Sequence, residues 1–223
     1  MNFEEFVLAA SLTDLDAEAR AREHADAVEF RMDLASDPLA ALDDYDGRLP
    51  VLATNRAAWE GGEAEDDEGR LAQLAEAAEL ACVGAVDVEL KSLTAGEGER
   101  VAERARRTGT SVVASVHNFE RTPPKADLRG HLETATERAD VGKLAVTAER
   151  RSDVLDLLAV THEFDAAGER VATMAMGAPG RHSRAVAPLY GSAIGYAPVE
   201  PEDATAPGQY DLETLANLVE KLK

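Results

Sequence analysis

Residues 139–149, "ADVGKLAVTAE", read as a β-strand with a lysine at its centre. Alternation puts Val141, Lys143, Ala145 and Thr147 on one face and Gly142, Leu144 and Val146 on the other. An ammonium group in such a strand asks for a reason, because a desolvated charge is costly unless it is paired or loses its proton. The flanking chain supplies a setting. "SVVASVH" (111–117) before it and "RVATMAM" (170–176) after it are further strand-like runs, and helix-like segments separate them. Working outward, "FVLAASL" (6–12), "AVEFRM" (27–32), "PVLATNR" (50–56), "AVDVEL" (85–90) and "IGYAPV" (194–199) bring the number of such runs to eight. Strands alternating with helices are the mark of a parallel sheet built from βα units.

The helical intervals include "DDEGRLAQLAEAAELACVG" and "GEGERVAERARRTG", each closing on glycine as a C-cap would. The last helix, from about Asp211, carries Leu212, Leu215, Val219 and Leu222 on one stripe. Eight units ending in such a helix predict an α/β protein consisting of a single (β/α)8 barrel over residues 1–223. An open doubly wound sheet is the alternative, but no glycine-rich dinucleotide fingerprint follows the first strand.

Barrel strands meet helices on their outward face and are free to carry chemistry on the inward one. The alternation fits. Phe30 and Met32 oppose Glu29 and Arg31; Val86, Val88 and Leu90 oppose Asp87 and Glu89; Val112, Ala114 and Val116 oppose Ser115 and His117. An antiparallel sheet with one wet face would alternate in the same way, yet the intervening helices argue against it.

Composition narrows the function classes. The 223 residues suffice for one sizeable core, 45% of them are hydrophobic, and no apolar run approaches the length of a membrane span. The opening "MNFEEFVLAASL" lacks a basic segment and a cleavage site, which predicts a cytoplasmic protein. Formal net charge is −20, with acidic runs such as "GGEAEDDEG" (61–69) and "VEPEDA" (199–204), a field that repels nucleic acid and anionic membranes. Only five lysines occur, and a surface rich in acids and poor in lysine reads as adaptation to a salty cytoplasm. The one cysteine, Cys82, has no partner for an internal disulfide and reads as a small core residue.

Lys143 has two readings. A neutral amine attacks a ketone to form an imine, and the protonated imine acidifies the adjacent C–H bond; at pH 7 an unperturbed lysine is neutral in only about one molecule in a few thousand, so desolvation or nearby cations must assist. The other reading is an ion pair with Glu89 or Asp87. His117, at the inward end of the neighbouring strand, suits the base that takes the acidified proton and returns it to a departing hydroxyl, though a strand-end histidine also serves structure. Arg31, Arg56 and Arg184 suit carboxylate and hydroxyl recognition, and Arg31 has Glu29 or Asp33 as an alternative partner. No metal-ligand spacing involves the other histidines, so no metal site is expected.

Seven fragments, "VEFRMDL", "TNRAAWEGGE", "SVHNFERTP", "GKLAVTAE", "MGAPGRHSR", "YGSAIGYA" and "TAPGQ", resemble, in order and approximate spacing, type I 3-dehydroquinate dehydratase, the Schiff-base dehydratase of the shikimate pathway to chorismate and aromatic amino acids. The resemblance covers nearly the whole chain. It implies that Lys143 forms the imine, that His117 is the general acid/base, and that Glu60 positions or shuttles a proton with it. It implies that Arg184 holds the substrate carboxylate, and that Glu29, Arg31, Arg56 and Gln209 bind hydroxyls and organise the site, with Ser11 a further member. Thr205 stands where a substrate-contacting serine is common, Asn118 where aspartate is frequent, and Tyr190 where phenylalanine is. No cofactor is implied; 3-dehydroquinate is the small-molecule substrate and a homodimer the assembly. The segment from Glu200 to Tyr210 is expected to close over the substrate. A Schiff-base (class I) aldolase on the same barrel and a non-catalytic binding barrel are the rival readings.

Overall fold

Every strand turns one side chain in two toward helices and the next inward, and this alternation rolls the sheet into a barrel in the computed structural model, which describes residues 1–204, 206 and 208–223. The strands are β1 (Val7–Leu12), β2 (Ala27–Arg31), β3 (Val51–Thr54), β4 (Val83–Glu89), β5 (Ser111–Asn118), β6 (Val141–Thr147), β7 (Val171–Met176) and β8 (Ile194–Pro198). From β1 to β7 each pairs in parallel with its neighbour in sequence, and β1 also pairs with β8 through Val7 to Ile194 and Ser11 to Pro198. The seam between β7 and β8 is closed differently. Ala193 N–H donates to Val171 O at 2.7 Å, and the Ser192 hydroxyl accepts from Thr173 N at 2.9 Å, so a side chain takes the place of part of the ladder. The result is a (β/α)8 barrel.

Among the described residues the α-helices are α1 (Glu18–Ala21), α2 (Pro38–Asp43), α3 (Asp67–Ala77), α4 (Leu90–Ala95), α5 (Glu99–Thr108), α6 (Lys125–Thr136), α7 (Arg151–Ala166), α8 (Gly177–Gly180), α9 (Ser183–Val186) and α10 (Leu212–Leu222). Outward strand residues meet them: Phe30, Val86, Val88 and Val112 pack with Leu74, Val101 and Ala105, while Leu144 and Val146 pack with Leu128, Leu132 and Leu157. The predicted glycine cap of α5 is present, with Gly109 in the left-handed region at φ 77°. The glycine of "ACVG" is not a cap. α3 ends at Ala77 and Gly84 lies inside β4, because Val83 already belongs to the buried ladder. Cys82 is half-buried just before that strand and its Sγ reaches Leu42 O at 3.4 Å. On α10, Asp211 caps the Thr214 N–H at 2.9 Å, and Leu212, Leu215 and Val219 are buried as expected, whereas Leu222 in the last turn is exposed.

The interior divides into two zones. At the N-terminal end of the strands Ala9, Leu52, Ala85, Val113, Val141, Ala172 and Ile194 form an apolar floor closed by Phe3. Above it the inward positions turn polar: Ser11, Glu29, Thr54, Asp87, Glu89, Ser115 and Lys143 are all buried. On the outside, Asp14, Asp16, Asp44 and Asp46 share one shallow cleft. With a net charge of −20, screening should relieve such repulsion. Melting temperature is therefore expected to climb between low and molar salt, measured by thermal unfolding; a flat or falling curve would remove the salt-adaptation reading.

Candidate active site

Lys143 stands in the middle of β6 with its Nζ directed into the barrel, and the lysine is only 4% exposed. It donates to Asp87 Oδ2 at 2.9 Å, lies 4.0 Å from Glu29 Oε1, and sits 4.2 Å from the centroid of the Tyr196 ring. β-Register explains the meeting: Ser115 of β5 lies opposite Lys143, and the Ser115 hydroxyl donates to Asp87 of β4 at 2.6 Å. Glu29 is fixed in turn by the hydroxyls of Ser11 at 2.6 Å and Thr54 at 3.3 Å.

Asp87 also accepts from Arg56 Nη2 at 2.8 Å. The same guanidinium donates through Nη1 to Glu89 at 3.1 Å and to Ser115 Oγ at 2.6 Å. Glu89, fully buried, completes its shell with the Ala57 N–H at 3.0 Å and Arg70 Nη1 at 2.7 Å. Buried charges are tolerable only when paired in this way. Burial works against ionisation of Asp87, but Arg56 and Lys143 prevail and hold its carboxyl well below the usual carboxylate range.

His117 Nδ1 and Glu60 Oε1 are 2.9 Å apart. Glu60 is placed by a short turn, Ala58–Glu60, that follows β3 and is stopped by Gly61 at φ 82°. The left-handed backbone there favours glycine, and a Cβ on Gly61 would lie 2.5 Å from the edge of the Phe119 ring, which stacks beside His117 with centroids 5.9 Å apart and would have to shift. Burial, reinforced by Glu89 and Asp87 against the opposing Arg56, pushes Glu60 up to about 8. Burial, together with Arg56 and Lys143, pushes His117 well below the ordinary histidine range. The imidazole is thus a neutral base, and its carboxyl partner changes charge close to neutrality. With Glu60 ionised, Nδ1–H donates to it and Nε2 is left free toward the cavity.

Arg184, in α9, is 5% exposed, its Nε has no hydrogen-bond partner, and burial alone lowers it to about 10. Tyr196 Oη is likewise unpartnered, and these are the two such buried side-chain atoms among the described residues. Both residues line one cavity at the C-terminal end of the barrel, about 550 Å³ with its open mouth included. Unsatisfied buried donors and a lone guanidinium suit a polar, anionic occupant. No group of three or more His, Cys, Asp or Glu among the described residues is placed to hold a metal.

Of the residues singled out in the sequence, Lys143, His117, Glu60, Glu29, Arg31, Arg56, Arg184 and Gln209 line this cavity together. Ser11 does not line it; the hydroxyl acts on Glu29 from behind. Arg31 pairs with Asp33, through Nε at 2.9 Å and Nη2 at 2.7 Å. Thr205 lies outside the described residues. Asn118 and Tyr190 point to other tasks: Asn118 Oδ1 accepts from the N–H groups of Glu120 and Arg121 to form a turn, and Tyr190 is exposed against His162. Glu200 pairs with Arg20, and the Tyr210 ring lies 4.1 Å from the Arg181 guanidinium. Of the two partners the sequence offered for Arg31 the structure selects Asp33, whereas sequence reasoning missed Arg70 and Tyr196.

A family model for type I 3-dehydroquinase matches residues 6–223. A 3-dehydroquinate dehydratase of Haloarcula marismortui is 58% identical over 226 residues, spanning 100% of this chain and 99% of that protein. Another, of Halobacterium salinarum, is 55% identical over 226 residues, with 100% of each chain covered. The crystal structure of 3-dehydroquinate dehydratase from Geobacillus kaustophilus superposes with a TM-score of 0.86 at 27% identity, over 98% of this chain and 91% of that one.

Proposed function

Because the chain belongs to the type I 3-dehydroquinase family, and so dehydrates 3-dehydroquinate to 3-dehydroshikimate through a lysine Schiff base, we propose that Lys143 forms the imine and that His117, with Glu60, moves the protons. The observation that carries this assignment is the convergence in one cavity of a buried lysine, a neutral histidine and an arginine with no carboxylate partner. Membership in this family sets aside the aldolase and binding-only readings.

The substrate carboxylate sits on Arg184, which satisfies its orphaned donor. Lys143 passes a proton to His117 and adds to the ring ketone; the imidazolium returns that proton to the carbinolamine hydroxyl, which leaves as water and gives a protonated imine. Neutral His117 then takes the proton from the adjacent carbon, and that electron pair moves into the iminium to give an enamine. The imidazolium, steadied by the Glu60 carboxylate, returns its proton to the departing hydroxyl as the enamine expels it, which releases water. Hydrolysis of the remaining imine frees the product and Lys143. Asp87, kept ionised by Arg56, orients Nζ throughout. Glu29, Arg31, Gln209 and Thr205 receive the ring hydroxyls, Arg56 organises the site through Asp87 and Glu89, and the 200–210 segment closes the mouth and excludes water. No cofactor takes part in these steps.

Residues 1–223 serve as one catalytic domain, and the resemblance extends to a homodimer working in the cytoplasm. Among the described residues no helix is long and apolar enough to cross a membrane. The direct test is the absorbance of a conjugated enone when the purified protein meets 3-dehydroquinate; its failure to appear would sink the assignment.

Arg184→Lys keeps the charge and loses the guanidinium fork, so the Michaelis constant is expected to rise about tenfold or more. Unchanged affinity for substrate would mean that another residue holds the carboxylate.

A further inference from the structure

We propose that Arg70, on helix α3 outside the ring of strands, is a positioning residue for both reacting groups, acting through Glu89. The proposal rests on the assignment of Lys143 and His117 made above. Arg70 is 3% exposed although it belongs to a helix packed on the outside of the barrel. Each nitrogen of its guanidinium is engaged: Nε donates to Asp67 at 2.7 Å, Nη2 to Ser92 Oγ at 3.1 Å, and Nη1 to Asn55 O at 3.2 Å and Glu89 Oε2 at 2.7 Å. It therefore reaches past the β3 loop to a carboxylate inside the barrel.

Glu89 divides its two oxygens. Oε2 takes Arg70; Oε1 takes Arg56 Nη1 at 3.1 Å and the Ala57 N–H at 3.0 Å. Both of the latter lead to chemistry. Ala57 precedes the turn that presents Glu60 to His117, and Arg56 Nη2 holds the Asp87 carboxylate that orients Lys143 Nζ. Without Arg70, a carboxylate with no route to water has only Arg56 as a charged partner. Glu89 would then draw Arg56 away from Asp87 and pull on the backbone at Ala57. The two reacting groups would be displaced together, while no substrate contact is lost, since Arg70 does not line the cavity.

The test is a double-mutant cycle on the full-length protein with 3-dehydroquinate, using Arg70→Met, Glu89→Gln and the pair. Arg70→Met should lower kcat by about ten- to a hundredfold and leave KM within about threefold. In the double variant no unpaired carboxylate remains, so its loss should be smaller than the product of the two single losses. Parent-like kcat in Arg70→Met, a rise in KM that accounts for its whole effect, or losses that multiply would each overturn the proposal, because a residue that merely braces α3 predicts one of those. If Arg70→Met does not fold, the same cycle with Arg70→Gln, which removes the charge and keeps a polar side chain in its place, gives the answer on the same criteria. Borohydride trapping on the parent keeps the two assignments apart: turnover without an adduct on Lys143 overturns the role of that lysine, whereas the cycle on kcat decides the role of Arg70.

Discussion

Borohydride added while the protein turns over 3-dehydroquinate will leave a permanent adduct on Lys143, and Lys143→Ala will lose both the adduct and the turnover. The expectation follows from burial and partners. Nζ is held 2.9 Å from Asp87 and faces the cavity, whereas Lys91 and Lys125 are exposed on the outside of the barrel. Removing a nucleophile from a site that works as a unit costs on the order of 10⁴ or more in kcat. Mass spectrometry of the peptide containing residue 143, after reduction of parent and variant, reads the result. An adduct on Lys91 or Lys125, or full turnover by Lys143→Ala, would return the lysine to the role of a buried ion pair.

His117→Ala should separate the two halves of the reaction. Turnover is expected to fall by roughly 10² to 10⁴, the scale of general acid/base catalysis, while borohydride still traps some covalent adduct because the amine remains. A variant that turns over normally, or one that forms no adduct although Lys143 is intact and the protein is folded, would show that the histidine has a different task. The neutrality of His117 in the folded protein sharpens this expectation, since burial, Arg56 and Lys143 favour the form able to accept a proton.

The barrel could be read from the sequence because its signal is periodic: strands of alternating polarity recur between helical segments, and a buried lysine or histidine on the inward face of two of them stands out against that pattern. What joins those residues could not be read in the same way. Whether Lys143 meets Asp87 or Glu89 depends on how far neighbouring strands are staggered, a property of ring closure that no local run of residues encodes. Arg70 was hidden for another reason. In "DDEGRLAQLAEAA" it passes for one more surface charge, yet Arg70, Leu74 and Ala77 share one helical face and all are buried. An arginine on the apolar stripe was the available clue. The misplaced cap at Gly84 shows the opposite error: the glycine was visible, but the strand claims it.

The Ser192 junction between β7 and β8 bears on how the molecule is made. β1 pairs with β2, its close neighbour in sequence, but its other edge has no partner until Ile194–Pro198 have been made. Throughout synthesis the growing sheet therefore presents open edges, the arrangement most prone to pairing with another nascent chain. In the closed ring the last strand carries a full ladder to β1, and Ser192 and Ala193 fasten it to β7. The lighter fastening lies where the ring is completed, and it spares the final strand from having to form two long ladders at once.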